Sequence, residues 1–236
     1  MIVDQEKCSG CKLCVKVCTT AAISVGEDKK ASVDRGICVE CGVCKRTEIC
    51  PKDAFIEDEL SWPRSIRRLY SDPTSVFVET GVDGRGTEEM KTNELTHRFG
   101  FGELGVVLDI GRPNVCTTFT DVEAIAMALA KEGIEFEKSN PLTGLMSNVN
   151  SGEFKPDIKG ERVLSTIIEF KVSVSKLLKT LEILRGIGGK VNTVFSVGII
   201  SATQDHQAEH CYNLMRENSW KVKPNGKVNL GLGRTD

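Results

Sequence analysis

Eight of the ten cysteines fall before residue 51, and six of these form two runs of the type C-x-x-C-x-x-C: Cys8, Cys11, Cys14 and then Cys38, Cys41, Cys44. A further cysteine follows each run, Cys18 after the first and Cys50 after the second. No apolar pattern constrains the fold as strongly, because thiolates spaced this way wrap a short loop around a soft metal centre. A secreted disulfide scaffold would staple the whole chain, whereas here the remaining cysteines, Cys116 and Cys211, stand alone. Dense local clustering with no export signal points to metal ligation.

The two runs are copies of one unit. "VDQEKCSGCKLCVKVCTTAAI" (3–23) aligns with "VDRGICVECGVCKRTEICPKDAF" (33–55), with Val3 and Asp4 on Val33 and Asp34 and the three cysteines in step. The register then slips by two, since three residues separate Cys14 from Cys18 but five separate Cys44 from Cys50. Two zinc sites of four cysteines would use the same eight thiols, but zinc sites usually split into two C-x-x-C pairs across a longer loop.

On these motifs residues 1–58 resemble the bacterial-type two-cluster ferredoxins, whose pattern is two copies of C-x2-C-x2-C-x3-C-P. The resemblance implies two [4Fe-4S] clusters, with the fourth cysteine of each run crossing to the other cluster. One set is then Cys8, Cys11, Cys14 and Cys50, and the other Cys38, Cys41, Cys44 and Cys18. Thr19 departs from the pattern where the family has proline, and the second run is two residues long. Crossing over tolerates that excess, because the remote cysteine does not share the tight loop of its own three. Residues 45–49 are therefore expected to form a charged surface protrusion beside a cluster and to help select a partner. Val15, Val17, Ala21, Ala22, Ile23, Val43, Ala54 and Phe55 are candidates to cover the clusters and limit water.

A net charge of −2 over 236 residues gives no electrostatic reason to expect a nucleic acid or an anionic membrane as partner. No apolar run approaches the ~20 residues of a membrane span, and the start lacks a signal-peptide pattern, so a cytoplasmic location is expected. Residues 59–74 read as a linker, bracketed by Pro63 and Pro73. Ile66, Leu69 and Tyr70 share one side of a short helix there, with Arg64, Arg67 and Arg68 on the other as a solvated basic face or a docking surface for an acidic partner.

From residue 75 strands and helices alternate. Strands are predicted at 75–80, 103–113, 134–138, 161–173 and 190–201, and helices after a Thr120–Glu123 capping box and over 176–186. The order from 103 to 201 resembles a βαββαβ plait, the ferredoxin-like arrangement also used by ACT-type regulatory domains, with 139–160 inserted as a loop or hairpin. The fold class is thus α+β, a small cluster domain (1–58) and a plait domain with extra elements (75–236).

Three further stretches carry candidate chemistry. Gly81, Gly84 and Gly86 precede a helix signal near Thr87, where Asp83, Arg85, Arg98, Asp109 and Arg112 could meet a ligand; Glu88 and Glu89 in the first turn argue against a phosphate. His206 and His210 stand four apart beside Cys211, with no third ligand evident. Cys116 and Cys211 read as small buried residues. The function expected is electron transfer through two [4Fe-4S] clusters to or from a partner oxidoreductase in anaerobic metabolism, as a carrier or oxidoreductase subunit rather than a catalyst. The larger domain would serve docking or homo-oligomer formation. The alternative is a redox-linked regulator whose ACT-like plait binds a small molecule.

Overall fold

The computed structural model describes residues 1–78, 81, 90, 93–202 and 204–223. The N-terminal part contains β1 (Ile2–Val3), α1 (Leu13–Val17), β2 (Ile23–Val25), β3 (Ala31–Val33), α2 (Val43–Arg46) and β4 (Phe55–Ile56). β1 pairs antiparallel with β4, and β2 with β3. With so little regular structure, the core here is small: Met1, Val3, Ile23, Ala31, Ala54 and Phe55, with Cys14 buried and most of the other cysteines packed against it.

Residues 59–74 are not a free connector. Its helix α3 (Ser65–Leu69) buries Ile66, and Tyr70 follows, each 1% exposed, in the main hydrophobic core. The Tyr70 ring meets Phe77 and Phe119 edge-on, at centroid distances of 4.9 and 5.8 Å. The opposite side of α3 departs from the solvated basic face that its sequence suggests. Arg67 is buried among main-chain carbonyls, Arg64 pairs with the buried Glu40, and Arg68 alone stays near the surface beside Glu57. The apolar spacing predicted the buried side correctly. The basic side was misjudged because buried carbonyls on a neighbouring loop are invisible in the sequence.

The larger part continues with α4 (Asn93–Thr96), β5 (Glu103–Ile110), β6 (Thr117–Thr118), α5 (Phe119–Ala130), β7 (Glu135–Phe136), β8 (Met146–Asn148), β9 (Glu153–Phe154), β10 (Arg162–Val163), β11 (Thr166–Ser173), α6 (Leu177–Gly188), β12 (Phe195–Ser201) and α7 (Gln207–Glu217). Four strands form an antiparallel sheet in the order β12-β5-β11-β7. Strand alternation places Leu104, Val106, Leu108 and Ile110 of β5 in the core with Val122, Ile125 and Leu129 of α5 and Leu177, Leu181 and Leu184 of α6. Val107 and Ile167 belong to a separate cluster with Met90 and Phe99.

Several local expectations are revised. Thr118, not Thr120, caps α5, its hydroxyl accepting from the Asp121 N–H at 3.2 Å. The two residues of the expected capping box are used elsewhere: the Thr120 hydroxyl donates to the Lys159 carbonyl, and the Glu123 carboxylate accepts from the Phe154 N–H. The predicted 161–173 strand is two, β10 pairing with β6 and β11 with β5. Within 139–160 the chain forms the β8–β9 hairpin. Of the strand predicted at 75–80, the described residues show only an isolated bridge at Val76.

Candidate metal centres

The duplication is written into the backbone. Asp4 and Asp34 each turn the chain by accepting the next N–H groups on a side-chain oxygen, Glu6 and Lys7 in one copy and Gly36 and Ile37 in the other. Each then accepts on its carbonyl from the first cysteine of the run, Cys8 N at 3.0 Å and Cys38 N at 2.9 Å. Inside each run two residues take left-handed φ at matching places, Gly10 and Lys12 in the first and Glu40 and Gly42 in the second. Such a zigzag turns side chains of neighbouring cysteines inward. Gly10 is obligatory for a further reason, since a Cβ there would lie 2.0 Å from the Lys29 carbonyl oxygen.

Strand pairing decides which cysteines meet. Cys18 leads into β2, which pairs with β3, the strand that enters the second run; Cys50 leads into β4, which pairs with β1, the strand that enters the first. Each late cysteine is thereby carried to the opposite loop. Cys8, Cys11, Cys14 and Cys50 line one cavity together with Val3, Gly10, Ala31, Ala54 and Phe55. Around Cys44 stand Cys41, Cys38 and Cys18.

The electrostatics of both groups suit a positively charged centre. Burial, joined by the adjacent Cys41, Cys38 and Cys18, pushes the Cys44 thiol up to about 12. Burial raises Cys14 and Cys38 as well. Crowded thiolates in a partly desolvated site repel each other unless metal ions neutralise them. Main-chain N–H groups donate to sulfur in both halves, Ala22 to Cys18 at 3.2 Å and Ala54 to Cys50 at 3.4 Å, with Ala31 to Cys8 at 3.3 Å. Among the described residues no three His, Cys, Asp or Glu side chains converge closely enough for a single metal ion. Cys8, Cys11, Cys14 and Cys50 spread round a cavity with an apolar lining are a donor set that fits a thiolate-ligated cluster.

Thr19, the departure from proline, keeps a role: its hydroxyl hydrogen-bonds the Cys41 sulfur at 3.2 Å, and its carbonyl accepts from Asn114 N–H at 2.7 Å. Asn114 lies in the 111–116 turn of the larger part, next to Cys116. Cys116 is fully buried, and burial raises its pKa, with Arg162 opposing and Cys41 and Cys18 near enough to add to the rise. Of residues 45–49, Lys45 to Glu48 are exposed as expected, with Lys45 paired to Glu57 and Arg46 to Asp72, whereas Ile49 is half-buried against the small N-terminal core. Glu40 gave no signal beyond its place in the repeat, opposite Gly10. It is 2% exposed, and its carboxylate holds both the Met1 ammonium and Arg64. Burial alone would raise it, but these two cations together bring it below the usual carboxylate value.

Asp83, Gly84, Arg85, Gly86, Thr87, Glu88 and Glu89 lie outside the described residues, while Arg98 pairs with Glu137 at 3.7 Å. His206 sits before α7 with a left-handed φ of 56° and a side chain turned to solvent, so it does not share a helical face with His210. Cys211 is buried in the main core, as the sequence suggests.

Residues 1–24 match the 4Fe-4S binding domain family. The indolepyruvate oxidoreductase subunit IorA of Pyrococcus abyssi is 44% identical over 54 residues, which cover 22% of this chain and 8% of that protein. The isethionate sulfite-lyase activating enzyme of Oleidesulfovibrio alaskensis is 47% identical over 47 residues, covering 20% of this chain and 15% of the relative. An iron-sulfur protein of Rhodospirillum rubrum is 45% identical over 49 residues, covering 21% and 24%. The matches thus span under a quarter of the length of these relatives, and no solved structure matches significantly. Among the described residues no helix is long and apolar enough to cross a membrane. Its duplicated cysteine loops and its family match together identify the N-terminal part of this chain as a ferredoxin-type 4Fe-4S binding domain.

Proposed function

We propose that the chain is an electron-transfer protein with two [4Fe-4S] clusters, passing electrons to or from a partner oxidoreductase. The observation that carries this reading is the crossed strand pairing, which gathers Cys8, Cys11, Cys14 and Cys50 at one place and Cys38, Cys41, Cys44 and Cys18 at another. A [4Fe-4S] cluster supplies one-electron transfer when bound. The chain itself supplies four thiolates per site, N–H and hydroxyl donors to sulfur, and an apolar lining that limits water, which are the usual levers on potential. Four cysteines per cluster leave no open position for a substrate, which favours carrying electrons over catalysis. The matched segments occur in an oxidoreductase subunit and in an activating enzyme, and this supports the same role.

Residues 1–58 form the cluster domain and 75–236 the second domain in this reading, with 59–74 a packed joint between them. The second domain is a βαββαβ plait: β5, α5, β7, β11, α6 and β12 occur in that order, and the sheet order β12-β5-β11-β7 is the one such a plait requires. It serves to dock the cluster domain on its partner. Anaerobic iron and sulfide analysis tests the proposal directly. About eight irons per chain and two reversible one-electron steps are expected, and fewer irons overturn the two-cluster reading. Co-purification under reducing conditions then identifies the oxidoreductase.

A further inference from the structure

The two cysteine loops hold equivalent cations drawn from different sources. In the first, Lys30 Nζ donates to the carbonyls of Gln5 and Cys8, both at 2.7 Å. The alignment that puts Cys8 on Cys38 puts Gln5 on Arg35. The carbonyls of Arg35 and Cys38 accept from Arg67 Nη1 at 3.0 and 2.8 Å, and that of Gly36 accepts at 3.0 Å. Carried past the two-residue slip, the repeat sets Trp62 opposite Lys30, and Trp62 carries no charge. A cation from outside the repeat has taken the vacant position. The replacement differs in its surroundings, because Lys30 is partly exposed, whereas Arg67 is 7% exposed and ion-paired to Glu161, ninety-four residues further along the chain.

We infer that Arg67 is a positioning residue that sets the reduction potential of the second cluster, that Glu161 tunes it from the larger domain, and that the second cluster is consequently reduced first. The inference rests on the reading that Cys38, Cys41, Cys44 and Cys18 hold a [4Fe-4S] cluster. Reduction adds one negative charge to a site. A buried cation favours that charge more than a hydrated one, because fewer water molecules screen it. Arg67 bonds the carbonyl of Cys38 itself, a cysteine of the second set, at 2.8 Å. The same loop is flanked by the Met1 ammonium and Arg64, which share the single charge of Glu40. The cations Met1, Arg64, Arg67 and Arg35 beside the loop are matched in number by Glu40, Glu161, Asp34 and Asp58, so the burial of Arg67, and not a net charge, sets this loop apart from the first.

The test is a potentiometric titration of the anaerobically reconstituted full chain, with dithionite supplying one electron per cluster and paramagnetic resonance following each cluster. Cys44→Ala assigns the second midpoint by removing it. Arg67→Gln is expected to lower that midpoint and leave the first in place, and Arg67→Lys to restore part of the shift. Glu161→Gln is expected to raise it, because Arg67 then acts uncompensated. Lys30→Gln is expected to move only the first midpoint, and by less. A purely structural role would move Arg67→Gln and Glu161→Gln in the same direction, so equal signs overturn the inference, as does an unmoved second midpoint in Arg67→Gln. If Arg67→Gln does not fold, the sign of the Glu161→Gln shift decides alone. An iron content below about eight in the unmodified chain overturns the two-cluster reading instead.

Discussion

Ile66→Ala tests whether residues 59–74 belong to the main core. Ile66 is 1% exposed and packs in the same cluster as Tyr70, Phe77 and Phe119. The substitution deletes three carbons, about 2.4 kcal/mol of transfer free energy at ~0.8 kcal/mol per buried methylene. Each ~40 Å³ that the neighbours fail to refill adds about 1 kcal/mol. The expected loss is about 3 kcal/mol, within the range of roughly 2–5 kcal/mol seen for such deletions. Far-UV ellipticity of the anaerobic holoprotein in increasing urea reads it as a lower midpoint with an unchanged slope. Val78→Ala, at a residue 94% exposed, is the control and should stay within ~0.5 kcal/mol. Because Arg67 adjoins Ile66 on α3, loosening the helix should also speed loss of the second cluster in air. A destabilisation under about 1 kcal/mol would refute the reasoning and return 59–74 to a connector.

Cys50→Ala should cost the first cluster and keep the second, leaving about four irons per chain, while Cys18→Ala should do the reverse; loss confined to the opposite cluster in either variant would show that the late cysteines do not cross. Gly10→Ala places a Cβ 2.0 Å from the Lys29 carbonyl oxygen at a φ of 69°, so iron analysis should show the first cluster lost, whereas Gly160→Ala, with open space around it, should retain full iron. Glu40→Gln leaves the Met1 ammonium and Arg64 without their carboxylate and should destabilise the protein by about 3 kcal/mol, the low end for a broken buried pair because Arg64 is 19% exposed. Glu40 titrates below its ordinary value of 4.5, so its contribution is present above that pH and lost as pH falls through the folded value. The gap between Glu40→Gln and the unmodified chain should therefore be constant near neutrality and close on acidification, as read by urea midpoints over a pH series.

The cluster domain was the most legible part of the sequence because its determinants are local. A C-x-x-C-x-x-C loop specifies its own turn, and a repeat at constant offset shows up by direct alignment. Core helices α5 and α6 were legible for the same reason, their Leu, Ile and Val residues recurring at helical spacing. Errors arose where one residue had two local partners to choose from. Thr120 and Glu123 satisfy a capping box on paper, but tertiary packing brings the Lys159 carbonyl and the Phe154 N–H to them, and Thr118 caps the helix instead. His206 and His210 satisfy a helical spacing, but the helix begins after His206.

By itself the sequence determined a 4Fe-4S binding domain with a duplicated cysteine loop at one end of a chain of mixed helix and strand, because thiol spacing and apolar periodicity act over a few residues. Only the tertiary structure decided what surrounds the second cysteine loop. The guanidinium of Arg67 on its carbonyls, Glu161 behind that guanidinium and Asn114 on Thr19 join segments from 29 to 95 residues apart. No local rule links residues so distant. They meet because burying Ile66 and Tyr70 in the main core fixes α3 against the loop, and a buried carbonyl must then find whichever donor that packing brings near.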